Sequence, residues 1–188
     1  MCRVSIPMPT NPSNPRPKKA EGALRVLGVD PGFGRTGVGV IEIEGGRARH
    51  VCHSCIETPA SDDFSLRLQV LRDGIIEAIK EFKPQAAVVE KLFFQTNVST
   101  ASNVGMARGV SLLVLADAGL PVVELTPNEV KQAVAGYGSA DKKQMQAMVA
   151  RLLCLKNVPK PDDAADALAI AMAGGAVFLT KKRLSSNR

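Results

Sequence analysis

The chain has 188 residues, 45% of them hydrophobic and 22% charged, enough for one domain with a buried core. No run reaches the ~18 uninterrupted apolar residues of a membrane helix, and Met1-Cys2-Arg3-Val4-Ser5-Ile6-Pro7 lacks the apolar centre of a signal peptide, so a cytoplasmic protein without a membrane span is expected. The net charge of +6 sits at the two ends, in Arg3, Arg16, Lys18, Lys19 and in Lys181, Lys182, Arg183, Arg188, which leaves the body close to neutral.

Residues 1–23 carry Pro7, Pro9, Pro12, Pro15 and Pro17 among Ser and Asn, and are read as a disordered basic extension. One domain without internal repeats follows over residues 24–180, and 181–188 form a basic tail. Strands are predicted at 24–30, 36–44 and 47–57, the last two joined by a turn at Gly45-Gly46. Leu68, Leu71, Ile75 and Ile79 recur at helical spacing until Pro84 ends the helix. A buried strand at 86–90 leads to a helix at about 98–118, closed by Gly119, and a short strand at 121–125. Helices are predicted at 127–135, 141–155 and 163–179. This order is that of a mixed α/β domain.

Two tempting motifs fail on context. Gly32-Phe33-Gly34-Arg35-Thr36-Gly37 fits the dinucleotide pattern G-x-G-x-x-G, but that fingerprint needs a helix to open there. Val38-Gly39-Val40-Ile41-Glu42-Ile43-Glu44 reads as a strand, so the loop turns a hairpin and its glycines relieve crowding near Asp30. An actin-like phosphate-binding fold also opens with Asp-x-Gly on such a turn, but needs two such domains and a longer chain. Cys52-His53-Ser54-Cys55 has no second pair to complete a tetrahedral metal site, and lies in a strand where residues three apart face opposite ways. Cys154 is placed on a helical apolar stripe.

Four carboxylates remain. Asp30 ends the apolar run 24–29, Glu90 ends the run 86–89, and Asp163 and Asp166 lie three apart at a helix start. Acids at the ends of buried strands are costly to hold without compensation, and residues three apart on a helix share a face. Oxygen-only ligands suit Mg²⁺ or Mn²⁺. Two such ions can clamp the attacking and leaving oxygens of a phosphodiester.

Val29-Asp30-Pro31-Gly32 with Thr36-Gly37, Val89-Glu90-Lys91-Leu92-Phe93-Phe94, Ala107-Arg108-Gly109, Val130-Lys131-Gln132, Gly138-Ser139-Ala140-Asp141-Lys142 and Asp163-Ala164-Ala165-Asp166-Ala167-Leu168-Ala169 follow one another in order. Together they resemble the RuvC family of bacterial Holliday-junction resolvases over about residues 24–178. The resemblance implies an RNase H-like fold, with a central mixed five-stranded sheet flanked by helices. It implies a homodimer that makes paired, symmetric nicks in four-way DNA junctions during recombination and repair, and a RuvA–RuvB branch-migration complex as partner. By the same resemblance Asp30, Glu90, Asp163 and Asp166 form the catalytic and metal-binding set, with two Mg²⁺ ions that Mn²⁺ could replace. Asp162 shares a helix face with Asp166 and is read as a helix cap.

Met145, Met148, Val149, Leu152 and Leu153 make one apolar helical stripe. Lys142 and Lys143 lie off that stripe in the first turn, where cations oppose the helix dipole, which suggests phosphate contact. The resemblance selects Lys131 and Lys142 as phosphate contacts, and Phe93, three residues after Glu90, as a wedge into the unstacked junction centre. Ala101, Gly105 and Gly109 give one helix a small-residue face, suited to a second copy or to the sheet. Two rivals stay open: an RNase H-like nuclease for hybrids or plain duplexes, and a junction-binding protein without catalysis.

Overall fold

The computed structural model describes residues 22–91 and 98–186, with side chains over 22–91 and 101–180. The elements are β1 (Leu24–Asp30), β2 (Arg35–Glu44), β3 (Arg47–Glu57), α1 (Phe64–Phe82), β4 (Ala86–Glu90), α2 (Val98–Asp117), β5 (Val122–Leu125), α3 (Pro127–Ala135), α4 (Lys142–Leu152) and α5 (Asp162–Ser186). The five strands form one sheet in the order β3-β2-β1-β4-β5. β1, β2 and β3 are antiparallel neighbours, whereas β4 runs parallel to both β1 and β5. Gly45 and Gly46, both at positive φ, make the two-residue turn between β2 and β3.

Alternation along the strands divides the core into two layers. Leu27, Val29, Val38, Val40, Ala87 and Val89 pack under α1 and α2. Val26, Ile41, Ile43 and Val88 face α3, α4 and α5. α5 is long and apolar enough over Asp162–Thr180 to cross a membrane by composition alone. Here that apolar surface packs against the sheet: Ala164, Ala167, Leu168, Ile170 and Ala171 are buried.

Local chemistry sets the helix ends. Thr126 and Glu129 form a capping box on α3, with Pro127 in its first turn, and Asp141 with Gln144 does the same for α4. α4 stops at Leu152, short of the expected 155. Cys154 turns to a φ of 53°, its N–H bonds Arg151 O, and the N–H of Leu155 reaches back to Ala150 O. This is a Schellman closure, in which Leu155 folds back onto the core. Cys154 is therefore exposed beyond the helix rather than on its stripe, and Leu152 is also exposed. α5 runs on to Ser186, past the expected end at 179.

A register shift opposite Val40 and Ile41 leaves Val51 as an extra residue in β3. It brings His50 Nε2 to 2.8 Å from His53 Nδ1. Cys52 and Cys55 both follow the shift, opposite Val40 and Gly37 respectively, and so stay on opposite faces, as the sequence requires.

Candidate active site

β1 and β4 lie side by side in parallel register, with Gly28 opposite Val88 and Val29 opposite Val89. The residues that end them, Asp30 and Glu90, share the parity of Val26 and Val88, and so project towards α3–α5. The C-terminal edge of such parallel strands, where the connections diverge, is where open α/β sheets place their sites.

The N-terminus of α5 completes the constellation because three glycines let it approach closely. A Cβ on Gly37 would lie 1.9 Å from the Asp163 carbonyl oxygen, one on Gly28 2.1 Å from that of Ala167, and one on Gly39 2.6 Å from Leu168 N. With any larger residue at Gly37, the turn that carries Asp163 and Asp166 would lift away from Asp30. In the preceding loop, Thr36 Oγ1 donates to Gly32 O at 2.7 Å. Thr58 Oγ1 and Arg67 Nη2 both donate to Phe33 O, and the Arg67 guanidinium sits 3.8 Å from the Phe33 ring centre. The chain following Asp30 is thus tied down from β2 and from α1. Glu90 is braced as well: Arg108 Nε donates to its carbonyl at 3.3 Å, while the same guanidinium pairs with Glu124 of β5.

Asp30, Glu90, Asp166, Lys131 and Lys142 line one pocket of about 210 Å³, floored by Val130, Met145, Ala169 and Ile170. A larger, mostly apolar groove of about 510 Å³ lies between α1 and α2, and none of these residues lines it. Burial pushes Asp30 up to about 8, with further contributions from Glu90, Asp166 and Asp163. Glu90 rises to about 7, again mainly by burial and then by Asp166, against the pull of Lys131. Asp166 is raised too, chiefly by burial, although Lys142 opposes it. Lys142 Nζ stands 3.4 Å from both Asp162 and Asp166. Desolvation works against its charge, yet the two carboxylates outweigh it and raise its pKa.

The remaining sequence-predicted residues fall around this centre. Asp163 sits just beside the pocket, paired with Arg35 across 3.2 Å. Asp162 is the first residue of α5, between Lys142 and Lys160. Pro161, whose carbonyl accepts from Ala164 and Ala165, occupies the capping position instead. Lys143 is exposed and does not line the pocket. Phe93 lies outside the described residues. Burial, with Asp163 and Glu57, pushes the Cys55 thiol up to about 12, an inert state rather than a metal-binding one. Among the described residues, no three His, Cys, Asp or Glu side chains stand close enough to enclose an ion as they are. Lys142 instead supplies part of the missing positive charge.

Reasoning from sequence missed Arg35, Arg67 and the brace formed by Arg108. The Ala107-Arg108-Gly109 motif did mark the last of these, but nothing in it named Glu90 as the group held.

The family model described as crossover junction endodeoxyribonuclease RuvC matches residues 26–174. The chain belongs to the RuvC family. The RuvC of Thermotoga maritima is 51% identical over 150 residues, covering 80% of this chain and 89% of that protein. That of Chloroflexus aggregans is 54% identical over 149 residues, covering 79% and 91%. The structure of Thermus thermophilus RuvC superposes with a TM-score of 0.78 at 35% identity, over 84% of this chain and 97% of that one. The same protein in complex with a Holliday junction substrate gives 0.77 at 36% identity, over 81% and 93%. The yeast mitochondrial Holliday junction resolvase Ydc2, at 15% identity and a TM-score of 0.59, over 80% and 78%, shares the fold. The RNase H-like architecture expected from the sequence is the one found.

Proposed function

We propose that this chain resolves four-way DNA junctions, hydrolysing one phosphodiester in each of two symmetry-related strands at the pocket of Asp30, Glu90 and Asp166, with Asp163 as fourth carboxylate. The observation that carries this reading is the charge imbalance of the pocket. Acids that burial and mutual repulsion raise to about 7 and 8 despite the nearby lysines gain as anions from added positive charge. An all-oxygen donor set of this kind fits Mg²⁺, or Mn²⁺ in its place, and four carboxylates suffice for two ions. Bound ions would polarise the scissile phosphate and acidify an attacking water.

The chain's own groups do the rest. Lys131 and Lys142 form the cationic wall of the same pocket, where a phosphate of the cut strand would lie. Lys143 extends that wall outward, and Phe93 serves as the wedge that holds the junction centre unstacked. Two equivalent cuts require two such pockets, hence a C2 dimer. α2 offers the surface. It packs inward through Ala107, Val114 and Leu115, while Met106 and Leu113 are exposed and the space around the Gly109 Cβ position is open. The enzyme acts in the cytoplasm, with a RuvA–RuvB branch-migration complex as partner.

Cleavage assays with Mg²⁺ on synthetic four-way junctions, RNA–DNA hybrids and linear duplexes test the reading. Paired nicks at symmetric positions in the junction alone are expected. Preferential cutting of the hybrid, or binding without any cutting, would refute it.

A further inference from the structure

Asp163 is held differently from the other three carboxylates. It does not line the pocket. Its Oδ2 is buried and accepts no hydrogen bond, although Arg35 Nε lies 3.2 Å away as an ion-pair partner. The backbone of Asp163 lies directly against Gly37, with no room for a side chain between them. Its charge is nonetheless felt by both Asp30 and Asp166, so it stands within electrostatic reach of the pocket.

Arg35 is the first residue of β2, placed on the sheet face that carries Gly37 and looks towards α5. Its side chain is 56% exposed, against 26% for Asp163, so the guanidinium reaches solvent while its partner carboxylate is largely enclosed. Across the strand pair it stands opposite Glu57, an exposed acid. Among the described residues Arg35 is the cation paired with Asp163, and its exposed guanidinium stands beside the pocket rather than inside it.

We propose that Arg35 is an exchangeable counter-ion for Asp163. In the metal-free enzyme it neutralises that carboxylate, and on metal loading Asp163 turns to the pocket, leaving the guanidinium free to hold a phosphate of the bound DNA. Arg35 is thus a positioning residue for the metal site in one state and a DNA contact in the other. Guanidinium suits both partners, since its planar donors match carboxylate and phosphate alike. The inference rests on the reading of the pocket as a divalent-cation site, and its test separates the two.

Mn²⁺ binding to the full chain without DNA is measured by electron paramagnetic resonance for wild type, Arg35→Gln, Arg35→Lys and Lys160→Gln. Lys160 is a control cation near the same helix end, 3.7 Å from Asp162. Arg35→Gln should bind Mn²⁺ about fivefold more tightly, the effect of removing one competing half-exposed ion pair. Arg35→Lys and Lys160→Gln should stay near wild type. In parallel, affinity for a synthetic four-way junction is followed against KCl, once with EDTA and once with Ca²⁺. With EDTA, wild type and Arg35→Gln should show the same salt slope. With Ca²⁺ the variant's slope should be shallower by about one ion.

Unchanged Mn²⁺ affinity in Arg35→Gln, or equal tightening in Lys160→Gln, overturns the exchange. A slope difference present in both conditions makes Arg35 a permanent phosphate contact, and none in either removes it from the DNA, so each contradicts the proposal. Absence of Mn²⁺ binding in the wild type would instead sink the reading of the pocket itself.

Discussion

The two ends of β1 handle buried charge in opposite ways. At its start, Glu42 of the neighbouring strand is fully buried, and each of its oxygens receives an arginine: Arg25 Nη2 donates at 2.7 Å and Arg49 Nη2 at 2.6 Å. Arg25 Nη1 in turn donates to the Phe82 carbonyl at 2.9 Å, so the ion group also ties the sheet to the end of α1. At the other end, Asp30 faces Glu90 and Asp166, and among the described residues the half-exposed Lys142 and the neighbouring Lys131 answer these three acids. In the first cluster both oxygens of the buried acid are answered by cations of the chain itself, as a structural ion group needs. The second is short of positive charge, which costs stability unless function supplies it. A contrast between a closed and an open cluster on one strand distinguishes scaffold from site better than acidity alone.

Neutralising the open cluster should have the largest effect. Asp30→Asn, Glu90→Gln, Asp163→Asn and Asp166→Asn should each lower junction cleavage by about 10³-fold or more while binding persists, since charge stabilisation of the transition state is what is lost. Asp162→Asn should retain most activity, because Asp162 lies outside the pocket with Lys142 and Lys160. Single-turnover rates check both statements, and a normal rate for Asp163→Asn beside a dead Asp162→Asn would reverse the assignment.

Opening the closed cluster should damage the fold instead. Glu42→Ala removes the carboxylate that the buried Arg25 pairs with and should cost about 3–5 kcal/mol in chemical denaturation, the usual penalty for breaking a buried pair, while the half-exposed Arg49 stays hydrated. Its Mn²⁺ affinity should remain that of wild type wherever it is folded. A mild loss of stability would mean that Arg25 and Arg49 are satisfied without Glu42.

A smaller effect is expected from the cationic wall. Lys131→Ala and Lys142→Ala should each weaken junction affinity and flatten its dependence on salt by about one ion. Lys142→Ala should also disfavour the ionised form of Asp166, because it removes a cation that Asp166 uses, whereas Asp30→Asn removes a repelling charge and should favour it. An unchanged salt slope would leave these lysines as counter-ions of the acids alone.

How much of this was legible beforehand follows from what each signal depends on. Asp30 and Glu90 stood at the ends of apolar runs, and strand parity alone sends them to the same face. The Asp163–Asp166 spacing likewise declared a helical pair. The element order was readable because apolar periodicity and turn residues are local. What could not be read was tertiary: that Gly37 lets α5 descend onto β2, that Arg35 meets Asp163, and that Arg67 and Thr58 hold the Phe33 carbonyl. Lys142 was read as a phosphate contact from its position in a helix turn, but its place between Asp162 and Asp166 depends on how α4 crosses α5. The end of α4 was misjudged because Cys154 took a left-handed conformation that its residue type does not advertise. Glu42 looked like one more alternating strand residue, and only packing shows it to be enclosed.

The central claim is that the open cluster lacks a cation, and pH reveals it. The folded values of Asp30 and Glu90, about 8 and 7, lie above those of ordinary carboxylates. The folded chain therefore holds protons that the unfolded chain has released, and stability falls as pH rises through that window. The direct measurement is the thermal midpoint of the full chain at about pH 6 and pH 9, with EDTA and with Mg²⁺, in wild type and Asp30→Asn. The metal-free wild type should lose stability from pH 6 to pH 9. Mg²⁺ should restore it most at pH 9, and both differences should shrink in Asp30→Asn. A Mg²⁺ shift that is equal at the two pH values, or undiminished in Asp30→Asn, would contradict the account.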